Sequence, residues 1–333
     1  MVVISDDLDG SASIVVAELQ SRGWAPQIIE GERLALPSVS MEIITSASGP
    51  PSAVCTDAES GQRIVIGPDS RVFRRQPAVP TVEVRDEEYR AVAAYCTEQY
   101  RGMLESLFVI PCAWMNPASA DRKLDQNKQY GNSVAQSVGI STIPTVITDS
   151  PASWRRHVRR LGGSGAIAVK PLRAWPVTLV EDPEAWVGIY TTRLSVAEAL
   201  DFGESISFAP VILQPYIEKQ YELRVTVVGR EIFACRIDSQ ESETACTDWR
   251  RYDLANTPHT PYELGVDLSD QILHFMALTG LVYAAFDFIV DLSGEPIFVE
   301  VNPCGQFGWI ETLTGLPISG SIASWLLDAA DGR

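Results

Sequence analysis

Apolar positions along the chain follow two periods, and the switches between them mark the elements. Val2 to Ser5 is a short apolar run of strand character. Ser11 to Arg22 carries apolar residues at helical spacing and closes at Gly23, and "APQIIE" then reads as a second strand. The chain therefore opens β-α-β. Alternating stretches near Met41–Thr45 and in "QRIVIGP" predict further strands, and "RVFRRQPAVP" runs into a proline-punctuated loop. A long helical pattern covers roughly Asp86 to Leu107. The small, polar stretch "MNPASADRKLDQNK" marks a boundary. A helix from about Lys123 to Val138 leads through Gly139 into "TIPTVIT", and "AIAVKPL" predicts a buried strand.

From "PVILQPYI" onward strands crowd together. Val211–Gln214, "LRVTVVG" and "REIFACRI" precede a helix at about Leu268–Leu278. "AAFDFIVD" and "IFVEVN" follow, joined by the turn "LSGEP" as a hairpin. The pattern is α/β first and α+β later, a nucleotide-type lobe followed by a more antiparallel catalytic lobe. No internal repeat or low-complexity tract interrupts it.

Composition narrows the function classes. A 333-residue chain with 46% apolar residues has room for two or three packed lobes. It contains no apolar run long enough to span a bilayer, and its N-terminus lacks the basic flank of a signal peptide, so a cytoplasmic protein is expected. The 6 cysteines are scattered without a C-x-x-C, and the 3 histidines are too few for a His-based metal site. A net charge of −17 disfavours nucleic-acid binding, which needs basic surface. One basic cluster stands out in "SWRRHVRRLGG", readable as a solvated helix face or as an anion site.

The hairpin carries the chemistry. Glu300 and Asn302 interrupt an apolar strand and, at i and i+2, share one face that Phe298 is expected to head. Asp287 interrupts the partner strand in the same way. Hard oxygen donors at the ends of buried strands are costly unless something satisfies them, and Mg²⁺ completed by phosphate oxygens suits this set. Taken singly, Asp287 also reads as a strand cap and Asn302 as an Asn-Pro turn. Cationic partners are available. Lys170 ends the apolar run "AIAV", Lys128 lies at a helix start, and Arg224 and Arg236 fall inside strands. No P-loop or dinucleotide fingerprint occurs, and "GGSG" at 162–165 is at most a weak phosphate loop.

The ordered set Lys128, Lys170, "LQPYI", "LRVTVVG", Arg236, Asp287 and "EVNPCG" resembles the ATP-grasp carboxylate–amine ligases related to the ribosomal protein S6 glutamate ligase. "VFRRQP", "IYTT", "YELRVTVVGREIFACRIDSQ", "DWRRYD" and "NPCGQFGWIE" with "TGLPI" are similar to the peptide maturases that make graspetides, the microviridin-type ω-ester and ω-amide peptides. The resemblance covers nearly the whole chain and is strongest from Gln214 onward. It implies an ATP-grasp fold with an N-terminal pre-ATP-grasp α/β domain (1–118), a central lobe (119–212) and a C-terminal catalytic lobe (213–333), with ATP held between two α+β lobes.

By that resemblance Lys128 and Lys170 hold the ATP phosphates. Gln214, Tyr216 and Ile217 form the hinge under the adenine, and Arg224 and Arg236 face the γ-phosphoryl group and the acyl phosphate. Asp287, Glu300 and Asn302 bind Mg²⁺, and Gly305 begins the loop that meets the acceptor. Glu222 stands among the ATP-binding residues where the family commonly carries Asp, and Cys304 where it commonly carries Asn. Cys304 is expected to pack rather than react, because ATP-grasp chemistry needs no enzyme nucleophile.

The implied reaction activates Glu or Asp side chains of a precursor peptide as acyl phosphates and joins them to Ser/Thr hydroxyls or Lys amines. The implied partner is a ribosomal peptide with a leader and an acidic core, and dimers are common in the family. An acidic core needs local cations on a protein of net charge −17, and Arg74, Arg75, Arg250 and Arg251 are the candidates, with plain surface solvation as the alternative. A related ligase acting on a small carboxylic acid, amino acid or peptide would keep the same metal and phosphate residues. A degenerate binding module is disfavoured, since the ion ligands and both lysines are present.

Overall fold

The computed structural model describes residues 1–6, 9–75, 77–82, 89–125, 127–162, 165–173, 177–178, 186–187, 191–242, 247 and 256–328. Four strands, β1 (Val2–Ser5), β2 (Gln27–Glu30), β6 (Arg71–Arg74) and β7 (Ala113–Met115), form a parallel sheet in the order β2-β1-β6-β7. Helix α1 (Gly10–Ser21) returns the chain between the first two; Asp9 caps it by accepting from Ala12 N–H at 3.0 Å. A three-stranded antiparallel sheet, β3 (Val39–Ser46), β4 (Gly49–Asp57) and β5 (Arg63–Ile66), lies between β2 and β6 in the chain.

The middle strand β4 is not among the predicted strands; it opens on Gly49, Pro50 and Pro51, residue types that disfavour a strand interior. Its register skips between Ile44 and Ser46, and Pro50 and Pro51 fall in that irregularity, where a missing N–H breaks no ladder bond.

The boundary stretch is itself structured. It supplies α3 (Ala118–Asp125) and then α4 (Lys128–Ser137), so the single helix expected from Lys123 to Val138 is two. The break has a cause: Asn127 accepts from Tyr130 N–H at 3.0 Å and starts a new helix with Lys128 as its first residue. Helix α2 (Arg90–Leu107) matches the described part of its predicted span.

A second four-stranded sheet, antiparallel and ordered β12-β9-β13-β8, contains β8 (Val146–Thr148), β9 (Ala166–Pro171), β12 (Thr192–Ser195) and β13 (Val211–Pro215). A short pair, β10 (Val177–Thr178) and β11 (Trp186–Val187), is antiparallel. The amphipathic α5 (Pro151–Leu161) and α6 (Val196–Phe202) cover one face of the four-stranded sheet, where Trp154 and Val158 pack with Ile167 and Leu213. The arginines of the "SWRRHVRRLGG" cluster lie along α5.

The largest sheet has the order β16-β15-β14-β17-β18: β14 (Lys219–Val228), β15 (Glu231–Ile237), β16 (His259–Tyr262), β17 (Tyr283–Asp291) and β18 (Pro296–Asn302). One face carries Leu223, Val225, Phe286, Phe288 and Phe298 against α4 and α7 (Val266–Thr279). On the other, Cys235, Ile237 and Tyr283 share a core with Val3, Phe73 and Val15 and with α8 (Gly308–Thr314) and α9 (Ile318–Leu327). The first and the last described elements therefore close over one face of this sheet.

Phe298 does not head the face of Glu300. Asp287 pairs with Glu300 but Phe288 pairs with Phe298, so Val299 is an extra residue, a β-bulge. The bulge shifts the phase, so that Phe298 and Val301 both reach the apolar core while Glu300 and Asn302 turn away from it.

Asn116 joins the first sheet to this one. Its carboxamide donates to the Tyr283 carbonyl at 2.7 Å and the Pro303 carbonyl at 3.0 Å, and it accepts from the N–H groups of Val282 and Tyr283, each at 2.7 Å. Among the described residues no helix is long and apolar enough to cross a membrane, and no disulfide forms. Asn116→Ala would strand several buried backbone groups, each worth roughly 1–3 kcal/mol. We expect a loss of roughly 3 kcal/mol or more in urea unfolding, against a near-neutral effect for Asn132→Ala, whose side chain has no comparable set of bonds.

Candidate active site

A cleft opens between the middle and C-terminal sheets. Ala168 and Lys170 of β9 and Gln214 of β13 form one wall; Glu222, Asp287 and Glu300 form the other. Lys128, on the first turn of α4, reaches in from the side. The chain leaves β13 through Tyr216 and Ile217, which line the cleft with Ile143 and Ile289 as apolar surface. That segment is well fixed: Tyr216 N–H donates to the Ala166 carbonyl at 3.1 Å, Gln214 donates to Thr145 Oγ1 at 2.8 Å, and the Arg193 guanidinium lies 4.8 Å from the Tyr216 ring centroid.

The charged groups of the C-terminal wall form an ordered array. Arg224 Nη1 donates to both Asp287 oxygens at 2.9 Å, and its Nη2 donates to the Gln306 carbonyl at 3.1 Å. Both side chains are buried, at 5% and 6% exposure. Burial pulls the Arg224 pKa down, but Asp287 raises it further, and the net direction is up, so the guanidinium stays charged. A buried pair of this kind adds little net stability, because desolvation offsets attraction; what it secures is orientation. The Asn302 amide donates to Asp287 Oδ2 at 3.1 Å and approaches Glu300 Oε1 at 3.5 Å, and Lys128 Nζ lies 3.1 Å from Glu300 Oε2.

These donors fit Mg²⁺ of a particular kind. Two carboxylates and an amide, which presents its oxygen after a half-turn of its last torsion, suit an ion completed by phosphate oxygens and water. Among the described residues no group of three or more His, Cys, Asp or Glu gathers to hold an ion alone.

Solved structures share this architecture. An ATP-grasp ligase associated with ribosomal peptide modification from Chryseobacterium gregarium, in complex with ADP and a leader and core peptide, superposes with a TM-score of 0.85 at 24% identity, over 99% of this chain and 96% of its own. The macrocyclase MdnB from Microcystis aeruginosa MRC gives 0.74 at 26% identity over 99% of both chains. The ATP-grasp ligase PsnB, complexed with a minimal precursor, Mg and ADP, gives 0.73 at 19% identity over 98% of this chain and 97% of its own. The chain has the ATP-grasp fold. No protein-family model matches it, and no curated protein is significantly similar in sequence.

Within this ATP-grasp fold, Lys128, Lys170, Gln214, Tyr216, Ile217, Glu222, Asp287 and Glu300 line one cleft, as expected together. Arg224 and Asn302 join it through Asp287. Arg236 does not. The register pairs Arg224 with Cys235 and Leu223 with Arg236, so the two arginines lie on opposite faces of the sheet. Arg236 instead binds Asp238 at 2.7 Å and stacks 3.9 Å from the Tyr221 ring centroid.

Arg74 and Arg75 are not surface cations either, being 8% and 2% exposed. Arg74 pairs with Asp121 and lies over the Phe108 ring, and burial lowers its pKa. Arg75 pairs with Asp9 at 2.8 Å. Arg250 and Arg251 fall outside the described residues. Cys304 is half-buried, its thiol pushed up by desolvation against the pull of Arg74 and Arg75.

Sequence reasoning missed Lys219. Its ammonium is paired with the Glu222 carboxylate, lies 3.4 Å from the Thr247 carbonyl and lines the ATP-grasp cleft. At i and i+3 the two residues would face opposite ways on a regular strand. An irregularity between Lys219 and Tyr221, set against β17, brings them to one side. The only signal in the sequence was a lysine three residues from a strand glutamate.

Gly305 packs behind Arg224. A Cβ there would lie 2.5 Å from Ala285 Cβ and 2.6 Å from Arg224 Nη2. Gly305→Ala should therefore cost about 1–3 kcal/mol through overpacking, read by denaturant unfolding. Gly229→Ala tests a glycine whose surroundings are open and whose strain is conformational only; its activity should persist where that of Gly305→Ala falls.

Proposed function

We propose that the protein is an ATP-dependent ligase that activates Glu or Asp side chains of a precursor peptide and joins them to Ser/Thr hydroxyls or Lys amines, closing rings. The observation that carries this reading is the cleft itself. A backbone-fixed segment at Gln214–Ile217 lines it together with Lys128, Asp287 and Glu300, and Arg224 and Asn302 bind Asp287 beside them. The ADP, Mg and leader–core peptide held by the proteins of similar fold support it.

The substrate carboxylate attacks the γ-phosphorus of ATP, the bond to the β-bridging oxygen breaks, and ADP leaves with that electron pair. The hydroxyl or amine then attacks the acyl carbon, phosphate departs, and the nucleophile's proton passes to phosphate or water. Lys128 and Lys170 neutralise phosphate charge, and Arg224 is held by Asp287 to meet charge on the transferring group. Asp287, Glu300 and Asn302 would hold Mg²⁺, which supplies further charge neutralisation at the phosphates. Lys219 and Glu222, paired with each other on the cleft wall, would contact the bound nucleotide. The reading puts the protein in the cytoplasm, where ATP is made, and leaves its peptide partner as a leader followed by an acidic core.

The test is the intact mass of the peptide encoded nearest this gene after incubation with protein, ATP and Mg²⁺. One water should be lost per bond formed, only with ATP, and not with Glu300→Ala. Tandem fragmentation then separates ester from amide. An unchanged peptide mass with ATP consumed on a small carboxylic acid would overturn the peptide reading.

A further inference from the structure

The segment that follows β18, residues 302–308, crosses Arg224 on its way to α8. Its carbonyls are held one after another. Asn302 accepts from Gly305 N–H at 3.1 Å, and Pro303 accepts from the Asn116 amide at 3.0 Å. Gly305 accepts from the Tyr283 hydroxyl at 2.6 Å and from Arg75 Nη1 at 3.3 Å; Gln306 accepts from Arg224 Nη2 at 3.1 Å. Beyond them, the N–H groups of Phe307 and Gly308 both donate to Ser11 Oγ at 3.2 Å, and that hydroxyl donates to Gln306 Oε1 at 2.5 Å.

Two buried arginines thus reach neighbouring carbonyls, Arg75 to Gly305 and Arg224 to Gln306. They are anchored differently. Asp287 fixes Arg224, whereas Asp9 fixes Arg75 through Nε at 2.8 Å while its other oxygen caps α1. Holding this loop by apolar packing alone would have avoided desolvating Arg75. A satisfied buried polar network fixes a geometry that apolar contact leaves looser. The Tyr283 hydroxyl, pushed up to about 12 by burial, stays a donor throughout the working pH range. Gly305 leaves no room for a side chain, since a Cβ there would lie 2.6 Å from Arg224 Nη2.

We propose that Asp9, Arg75 and Tyr283 are positioning residues, which fix the Gly305 and Gln306 carbonyls so that Arg224 is presented correctly beside Asp287 for phosphoryl transfer. Through Asp9 and Arg75 the N-terminal domain thereby helps set the geometry of a site whose cleft walls, among the described residues, carry none of its side chains. The inference rests on the ligase reading for its kinetic consequence, but the loop coupling is measurable without turnover.

The experiment compares wild type with Tyr283→Phe, which removes one oxygen and keeps the ring, and with Arg75→Gln and Arg75→Lys. Three quantities are read: Mg–ADP affinity by calorimetry, ATP turnover with the peptide encoded beside the gene, and amide hydrogen exchange at Phe307 and Gly308. Misplacing a transition-state group costs turnover rather than ground-state binding. We expect kcat to fall roughly tenfold in Tyr283→Phe and roughly a hundredfold in Arg75→Gln. Mg–ADP affinity and the ATP KM should stay within about twofold, exchange at the two amides should quicken, and Arg75→Lys should recover part of kcat.

Unchanged kcat and exchange in folded Tyr283→Phe and Arg75→Gln would overturn the proposal, as would equal losses of kcat and Mg–ADP affinity. If wild type itself shows no turnover, the ligase reading fails and exchange decides alone: faster exchange in Tyr283→Phe upholds the coupling, and unchanged exchange refutes it.

Discussion

Everything in the cleft depends on the phase of one strand. In β18 the side chains of Phe298 and Val301 must both reach the apolar core, and Glu300 and Asn302 must both avoid it. A strict two-residue period cannot do this, because it would put Phe298 on the face of Glu300. The extra residue at Val299 resolves the conflict by spending one position outside the ladder. A second irregularity, between Lys219 and Tyr221, does the same for Lys219 and Glu222 on β14. Both lie on strands that form the cleft wall, where a local break in the ladder aims a polar group without disturbing the apolar layer behind it.

Behind that layer the molecule commits unusually polar groups to its interior. Arg74, Arg75, Arg224, Asp121 and Asp287 are all buried, and each is placed against an opposite charge or a carbonyl. Burying a charge is costly, and pairing returns only part of the cost. The benefit is definition. Apolar side chains slide over one another at small cost, whereas Arg224 between Asp287 and Gln306 has one arrangement. The same holds for Asn116, whose four short bonds tie the edge of the first sheet to β17 and to the start of the loop at Pro303.

The strands and helices that carry long apolar patterns were legible in the sequence, as were the residues that interrupt them. Asp287, Glu300 and Asn302 stand out because carboxylates and amides within buried strands need a reason. β4 was not legible, since its leading prolines are tolerated only by an irregularity that depends on β3. The break between α3 and α4 turned on Asn127 acting as a cap, a choice that local composition leaves open. Arg224 and Arg236 look alike in sequence, both set into β-rich runs, and only the pairing of Leu223 with Arg236 sends the latter to the opposite face.

By itself, then, the sequence determined which residue types the chain places in its strands, and through their order the resemblance to ATP-grasp ligases. Those properties are local: they follow from apolar period, turn residues and the cost of burying an oxygen. The tertiary structure decided which side chains meet. Lys219 with Glu222, Arg75 with Gly305 and Arg224 with Gln306 are joined by strand register, by bulges and by the closure of the N-terminal sheet over the C-terminal one. Register is a relation between two strands, so one strand's residues do not encode it alone; a shift of one position would exchange every face.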